Sequence, residues 1–135
     1  MPDFTHVHWL AVVIAAVAGI AIGFVWYMPA VFGKRWAAEG GVELPAPGQV
    51  SPMVYAISAL QSLISAYVVA LFAGGAGIVN GAIIGFVLYI LVGVAMYSVV
   101  LYERKSMMYW LINAGYSLVS LVVMGAIVGY FPAVM

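Results

Sequence analysis

The chain has 135 residues, 67% of them hydrophobic and 6% charged, with four lysines and arginines balancing four acids. An ordinary soluble domain carries about 25% charged residues, so the composition is that of an integral membrane protein, with no basic face for nucleic acid and no acidic tail. The absence of cysteine excludes disulfides, thiol nucleophiles and iron–sulfur clusters.

A bilayer core about 30 Å thick needs about 20 apolar residues per helix, and four stretches qualify. The first, His8–Met28, follows Asp3, His6 and His8 rather than lysines, and no small-residue cleavage site precedes Trp26 and Tyr27. Those features argue against a signal peptide. His6 and His8 lack the third ligand that a catalytic zinc requires and read as interfacial histidines, so no metal is expected. Residues 33–51 are read as one sizeable loop, with "ELPAPGQVSP" extended and Ser51 and Pro52 as N-cap and first residue of the next helix.

The second, third and fourth stretches are Pro52–Ala73, Ile78–Tyr102 and Met107–Tyr130, joined by "GGAG" and "ERKS". All eight charged residues, at positions 3, 34, 35, 39, 43, 103, 104 and 105, fall outside the spans. A central Lys, Arg or Asp would cost about 2.5–3.5 kcal/mol on the insertion scale, which explains the separation. Membrane strands would show alternating runs of about ten residues, and none is present. The expected fold is an all-α, single-domain, four-helix membrane bundle.

Lys34 and Arg35 lie in the first connection and Arg104 and Lys105 in the third, while the opposite side has no basic residue. The positive-inside rule then places both termini outside, in the inner membrane of a bacterium, with these four residues on a cytoplasmic basic rim. Trp9 and Tyr130 fall at the outer ends, and Trp26, Tyr27, Tyr55, Tyr102 and Trp110 near the inner ends, as an aromatic belt would.

Sliding the first helix along the third by 70 positions pairs Gly23 with Gly93, Tyr27 with Tyr97, Phe32 with Tyr102, and Lys34–Arg35 with Arg104–Lys105. An offset of 55 places "SLIS" at 62–65 on "SLVS" at 117–120. The pattern predicts a duplicated helical hairpin, two parallel repeats about an axis along the membrane normal. Pro29 aligns with Val99, inside the third helix. The first helix is therefore expected to bend at Pro29 and continue to about Phe32, freeing only the carbonyl of Val25.

On the second helix Ser58, Gln61, Ser62 and Ser65 cover an arc of about 100°, and on the fourth Asn113, Tyr116, Ser117 and Ser120 cover a similar one. Such groups turn towards the bundle interior. Interhelical hydrogen bonds of about 0.6 kcal/mol each are the favoured reading; the alternative is a small polar cavity for a lipid headgroup, water or a neutral solute. Gly19 and Gly23, with Ala15, then Gly81, Gly85 and Gly93, and Gly125 and Gly129 mark close helix packing, within the bundle or between protomers. Neither a nucleophile–base pair, HExxH, phosphate loop nor carboxylate dyad occurs, so neither catalysis nor a cofactor is expected.

"GFVWYMPAVFGKRW" and "LYERKSMMYWLINAGYSLVSLVVMGAIVGY" resemble a family of small four-helix bacterial membrane proteins of unknown function. Its pattern is carried by Trp26, Tyr27, Pro29, Phe32, Gly33, Lys34 and Trp36. The resemblance implies the four-helix fold and no activity. Small multidrug exporters carry a carboxylate in their first helix, and His8–Met28 has none. Fluoride channels need a threonine- and serine-rich break, and Thr5 is the one threonine here. Membrane glutathione-transferase-like enzymes need more than Glu103–Arg104. Two roles are expected in order: an accessory or assembly subunit packing against itself or a larger complex, then a small carrier or channel for a neutral or lipid-like ligand.

Overall fold

The structure, a computed structural model, describes residues 8–41 and 52–131. Asp3, His6, Ser51 and the segment from Glu43 to Val50 lie outside the described residues. Helix α1 spans Trp9–Trp26, α2 Lys34–Gly40, α3 Pro52–Ala73, α4 Ile78–Tyr102 and α5 Met107–Tyr130. A single π-helical turn, Pro29–Gly33, precedes α2. Helices α1, α3, α4 and α5 are long and apolar enough to cross a membrane. The all-α bundle expected from composition is formed, because a backbone in hydrocarbon must satisfy its own polar groups.

The first helix does not bend through Pro29; it ends. Met28 is extended, with φ −62° and ψ 141°. Proline's Cδ drives the residue before it out of the helical region, so α1 stops at Trp26 with Tyr27 as its cap. Pro29, with φ preset and no N–H to satisfy, then starts a new helical turn. The Met28 carbonyl accepts from the N–H groups of Val31 and Gly33, both at 2.9 Å. The second bond spans five residues, the spacing of a π turn. A Cβ on Gly33 would collide with the carbonyl of Tyr27 and the backbone of Met28. The segment Lys34–Gly40, expected as loop, is helical. Phe32 and Tyr102, paired by the 70-residue offset, thus sit in different local structures.

Helices α4 and α5 approach at backbone distance. A Cβ on Gly81 would strike the carbonyl of Gly125, and the reverse holds; Gly85 meets the carbonyl of Leu121 and Gly129 that of Gly77. Dispersion between backbones is the main attraction left where lipid is as apolar as the helix. The N–H groups of Gly75 and Gly77 donate to the carbonyls of Val128 and Gly129 at 3.3 and 2.8 Å. The short turn thereby caps carbonyls that the end of α5 would leave orphaned. Gly19 and Gly23 serve differently: they make room for Met124 and Tyr116 of α5. A Cβ on Gly93 would meet the ring of Tyr89 on its own helix, while its carbonyl accepts from the Trp110 indole N–H of α5 at 3.0 Å.

Helix α5 touches α1, α3 and α4, while α1 and α4 occupy opposite corners. At the end carrying the Gly74–Gly77 turn, small residues bring three helices together. Ala11, Val12, Ala15 and Ala16 of α1 pack on Ala66, Val69, Ala70 and Ala73 of α3 and on Met124 and Val128 of α5. Towards the α2 end this alanine packing gives way to serines, tyrosines and Phe24, and a cleft opens.

At that end α2 is pinned to the turn between α4 and α5. Arg104 has φ 58°, and the N–H groups of Arg104 and Lys105 return to the carbonyls of Leu101 and Val100 at 3.1 and 3.0 Å. This is a Schellman-type helix end built on an arginine where glycine is usual. It aims Lys105, whose Nζ donates to the Gly40 carbonyl at 2.7 Å and caps α2. Ser106 Oγ donates to Glu39 Oε2 at 2.5 Å and accepts from the N–H of Tyr109 at 3.1 Å. Arg35 pairs with Glu39 at 3.0 Å. The basic rim is therefore not four bare charges: Arg35 and Lys105 each have a partner.

Three measurements follow from this packing. Gly81→Ala should loosen the α4–α5 contact by about 1–3 kcal/mol, the usual cost of overpacking, whereas Gly93→Ala should cost less than 1 kcal/mol; reversible unfolding in bicelles would compare them. In the same assay Arg104→Gly should stabilise by about 1 kcal/mol, since an L-residue in the left-handed region carries that strain. The Ser106 hydroxyl, and secondarily Arg35, hold the Glu39 carboxyl below its ordinary range. The clamp should then persist above the ordinary glutamate pKa and be lost as the pH falls through the lowered value. Spin labels at Lys34 and Met107 should separate only at acid pH in the wild type and already at neutral pH in Glu39→Ala.

Candidate functional site

The polar rows on α3 and α5 face one another across a cleft of about 780 Å³. Ser58, Gln61, Ser62 and Ser65 form one wall, and Tyr116, Ser117 and Ser120 the other. The spacing fixes this: residues three and four apart on a helix stand on one face. Ile20, Gly23, Phe24 and Tyr27 of α1 close the back, Leu121 and Met124 the deep end, and Val92 is the contribution of α4. Asn113 is not in the wall. Its Oδ1 accepts from the Tyr27 hydroxyl at 2.6 Å, nearer α2.

Two kinds of polar group occupy these rows. Some tie helices together, as the favoured sequence reading expects. Ser62 Oγ donates to the Ala16 carbonyl at 2.7 Å, Tyr116 Oη to the Gly19 carbonyl at 3.1 Å, and Ser117 Oγ contacts Met96 Sδ at 3.7 Å. The side chains of Ser58, Gln61, Ser65 and Ser120 make no hydrogen bond to any described residue. Ser58 and Gln61 stand at the exposed rim. Ser120 is only 6% exposed, and its remaining surface faces the cleft.

Sequence reasoning placed Tyr116 in the polar face but missed the aromatic residues that α1 and α3 add to the wall, Phe24, Tyr27 and Tyr55. Phe24 and Tyr55 stack across α1 and α3 with centroids 6.0 Å apart. Tyr27 meets Tyr116 edge-on at 5.6 Å and Trp36 of α2 at 5.5 Å. Trp26, beside it, donates its indole N–H to the Ile112 carbonyl at 2.8 Å and lies on Gly115. The Trp-Tyr pair in the sequence was the available signal, but a belt at the membrane surface accounts for such a pair equally well. Among the described residues, no Asp, Glu, Lys, Arg or His lines the cleft. Its chemistry is that of neutral donors and acceptors beside aromatic rings, suited to holding a ligand by hydrogen bonds and ring contacts.

The two kinds of serine should respond oppositely to removal. Ser62→Ala breaks a bond between helices and should cost about 0.6 kcal/mol, the average in membrane bundles. Ser120→Ala removes a group that bonds no described residue and should be neutral or stabilising. Unfolding in bicelles free of added ligand would separate them.

No curated protein and no solved structure matches the chain. The resemblance to a family of unknown function does hold over nearly the whole length. Residues 10–129 match the family described as "Protein of unknown function (DUF1761)", and the chain belongs to that family.

Proposed function

We propose that the protein is a membrane-embedded binding protein, acting as a carrier or channel for an uncharged ligand held in the α3–α5 cleft, and not an enzyme. The observation that carries this reading is a set of side chains within two candidate membrane spans, Ser58, Gln61, Ser65 and Ser120, that line the cleft and bond no described residue. A polar group left unpaired in a low-dielectric site costs about 1–3 kcal/mol, so an occupant that bonds Ser120 and the half-buried Ser65, and meets Ser58 and Gln61 at the rim, would relieve that cost. The described lining residues include no histidine, carboxylate or amine that could act as a general acid or base near neutral pH.

An accessory subunit docked on a larger complex is the second reading, and Ser120 weighs against it. A partner helix laid across α3 and α4 would meet Ser58 and Gln61 at the rim. It could not reach Ser120 at the back of the cleft, 6% exposed. By the positive-inside rule the α2 end, with Lys34, Arg35, Arg104 and Lys105, faces the cytoplasm of a bacterial inner membrane.

The chain's lack of cysteine permits a background-free test. Single cysteines at Ser58, Ser65 and Ser120, in lipid nanodiscs, should react with N-ethylmaleimide at least tenfold faster than one at lipid-facing Val87. Thiolate forms only where water or polar groups reach it. Equal, slow reaction at all four positions would show the cleft closed and sink the proposal.

A further inference from the structure

We infer that the ligand is an uncharged, single-chain amphiphile whose head carries hydroxyl or carbonyl groups, and that it reaches the cleft sideways from the bilayer, between α3 and α4. This rests on the cleft being a binding site, as proposed above, and adds the chemistry of its occupant and the route.

The route follows from where the wall is missing. Helices α3 and α4 meet at the Gly74–Gly77 turn, and along the cleft α4 contributes only Val92, itself 39% exposed. The opposite flank is shut by the Phe24–Tyr55 stack, and the α2 end by Tyr27, held to Asn113 and backed by Trp36. Among the described residues, the gap between α3 and α4 is the side left open. Its α3 lip is apolar: Ile57, Ile64 and Val68 share a helical stripe with Gln61, and all are exposed. In a bilayer those residues face acyl chains, so what passes them must itself be soluble in hydrocarbon. A water-soluble solute would have to cross lipid to reach the opening.

The head follows from the lining. With no cationic or anionic side chain among the described lining residues, a phosphate or carboxylate head would lose its hydration without a counter-charge, a cost of several kcal/mol. Hydroxyl, ester and amide groups suffer no such loss, because serine and glutamine both donate and accept. Ser58 to Ser65 is seven residues, about 10 Å of polar track at 1.5 Å per residue, enough for several such groups in a row. Beyond it Ile20, Leu121 and Met124 offer apolar surface to the start of a chain. A cleft of about 780 Å³ lies in the range that encloses most of a drug-sized ligand. The rest of the chain would trail through the gap into the leaflet.

The test uses a monoacylglycerol with a diazirine in its chain, on the protein in phosphatidylcholine nanodiscs. Saturable photolabelling is expected on residues 54–65 and 116–124, competed by unlabelled monoolein. Ser65→Leu and Val92→Trp, from opposite walls and both partly exposed, should each lower it at least fivefold. Diazirine-bearing lysophosphatidylglycerol and an ionised fatty acid run in parallel should label the same peptides at least tenfold less. If the anionic probes label them as well, the neutral head is wrong although the cleft binds. If labelling is spread over the exposed face of α4 and is not competed, while the cysteines at Ser65 and Ser120 still react with maleimide, lateral access by an amphiphile is wrong. If those cysteines are also inert, the binding site itself is refuted.

Discussion

Inside hydrocarbon a polar group has no solvent to fall back on, and most of this structure is a response to that rule. The helices satisfy their own backbone, and the awkward places are their ends. Three of those ends have found a donor or acceptor nearby. The last turn of α5 receives N–H groups from the Gly74–Gly77 turn, α2 receives Lys105, and the first turn of α1 is capped by His8 Nδ1 at 3.3 Å from the Ala11 N–H. Against that background Ser58, Gln61, Ser65 and Ser120 of the cleft stand out, since their side chains bond no described residue. The Trp36 indole N–H, behind Tyr27, is the one fully buried side-chain polar atom without a partner among the described residues.

The stretch from Trp26 to Trp36 acquires physical roles from the same rule. Trp26 and Tyr27 carry polar tips on apolar bodies, and both tips are spent on α5, at the Ile112 carbonyl and at Asn113. Pro29 restarts the helix, Phe32 folds back on Trp26 with centroids 4.8 Å apart, and Gly33 admits the π turn between them. Trp36 then stacks towards Tyr109, 6.2 Å away, and brings α2 onto α5. The motif is thus a device for ending a membrane helix and reversing onto its neighbour. It also sets Tyr27 in the cleft wall.

The spans and the polar rows could be read directly because each depends on a single helical period. Hydropathy over about 20 residues gives the first, and spacing of three and four gives the second. The course of the chain around Pro29 could not be obtained by alignment to Val99. A proline constrains the residue before it as strongly as itself, and Met28 obeys that local steric rule rather than the pattern of a distant helix. The hydrogen-bonded status of each serine was likewise out of reach. Ser62 and Ser65 lie on one face and look alike in sequence. Ser62 falls where Ala16 has brought the α1 backbone close enough to bond. Ser65 faces the gap that larger residues keep open.

That gap is itself a consequence of how residue size is distributed along the helices. Alanine rows on α1 and α3, and glycine rows on α4 and α5, draw the bundle together at the end with the short turn. Rigid helices pinned at one end diverge at the other unless side chains fill the space between them. Here the lower half of α3 carries serines and Gln61, which are too short to reach α4. The aromatic residues that could fill the space are engaged elsewhere, Phe24 with Tyr55 and Tyr116 with the Gly19 carbonyl. The cleft is therefore not a packing defect that a nearby side chain could relax into. It is held open from one end by backbone contacts and from the other by α2, whose clamp to Ser106 and Lys105 keeps Trp36 behind Tyr27.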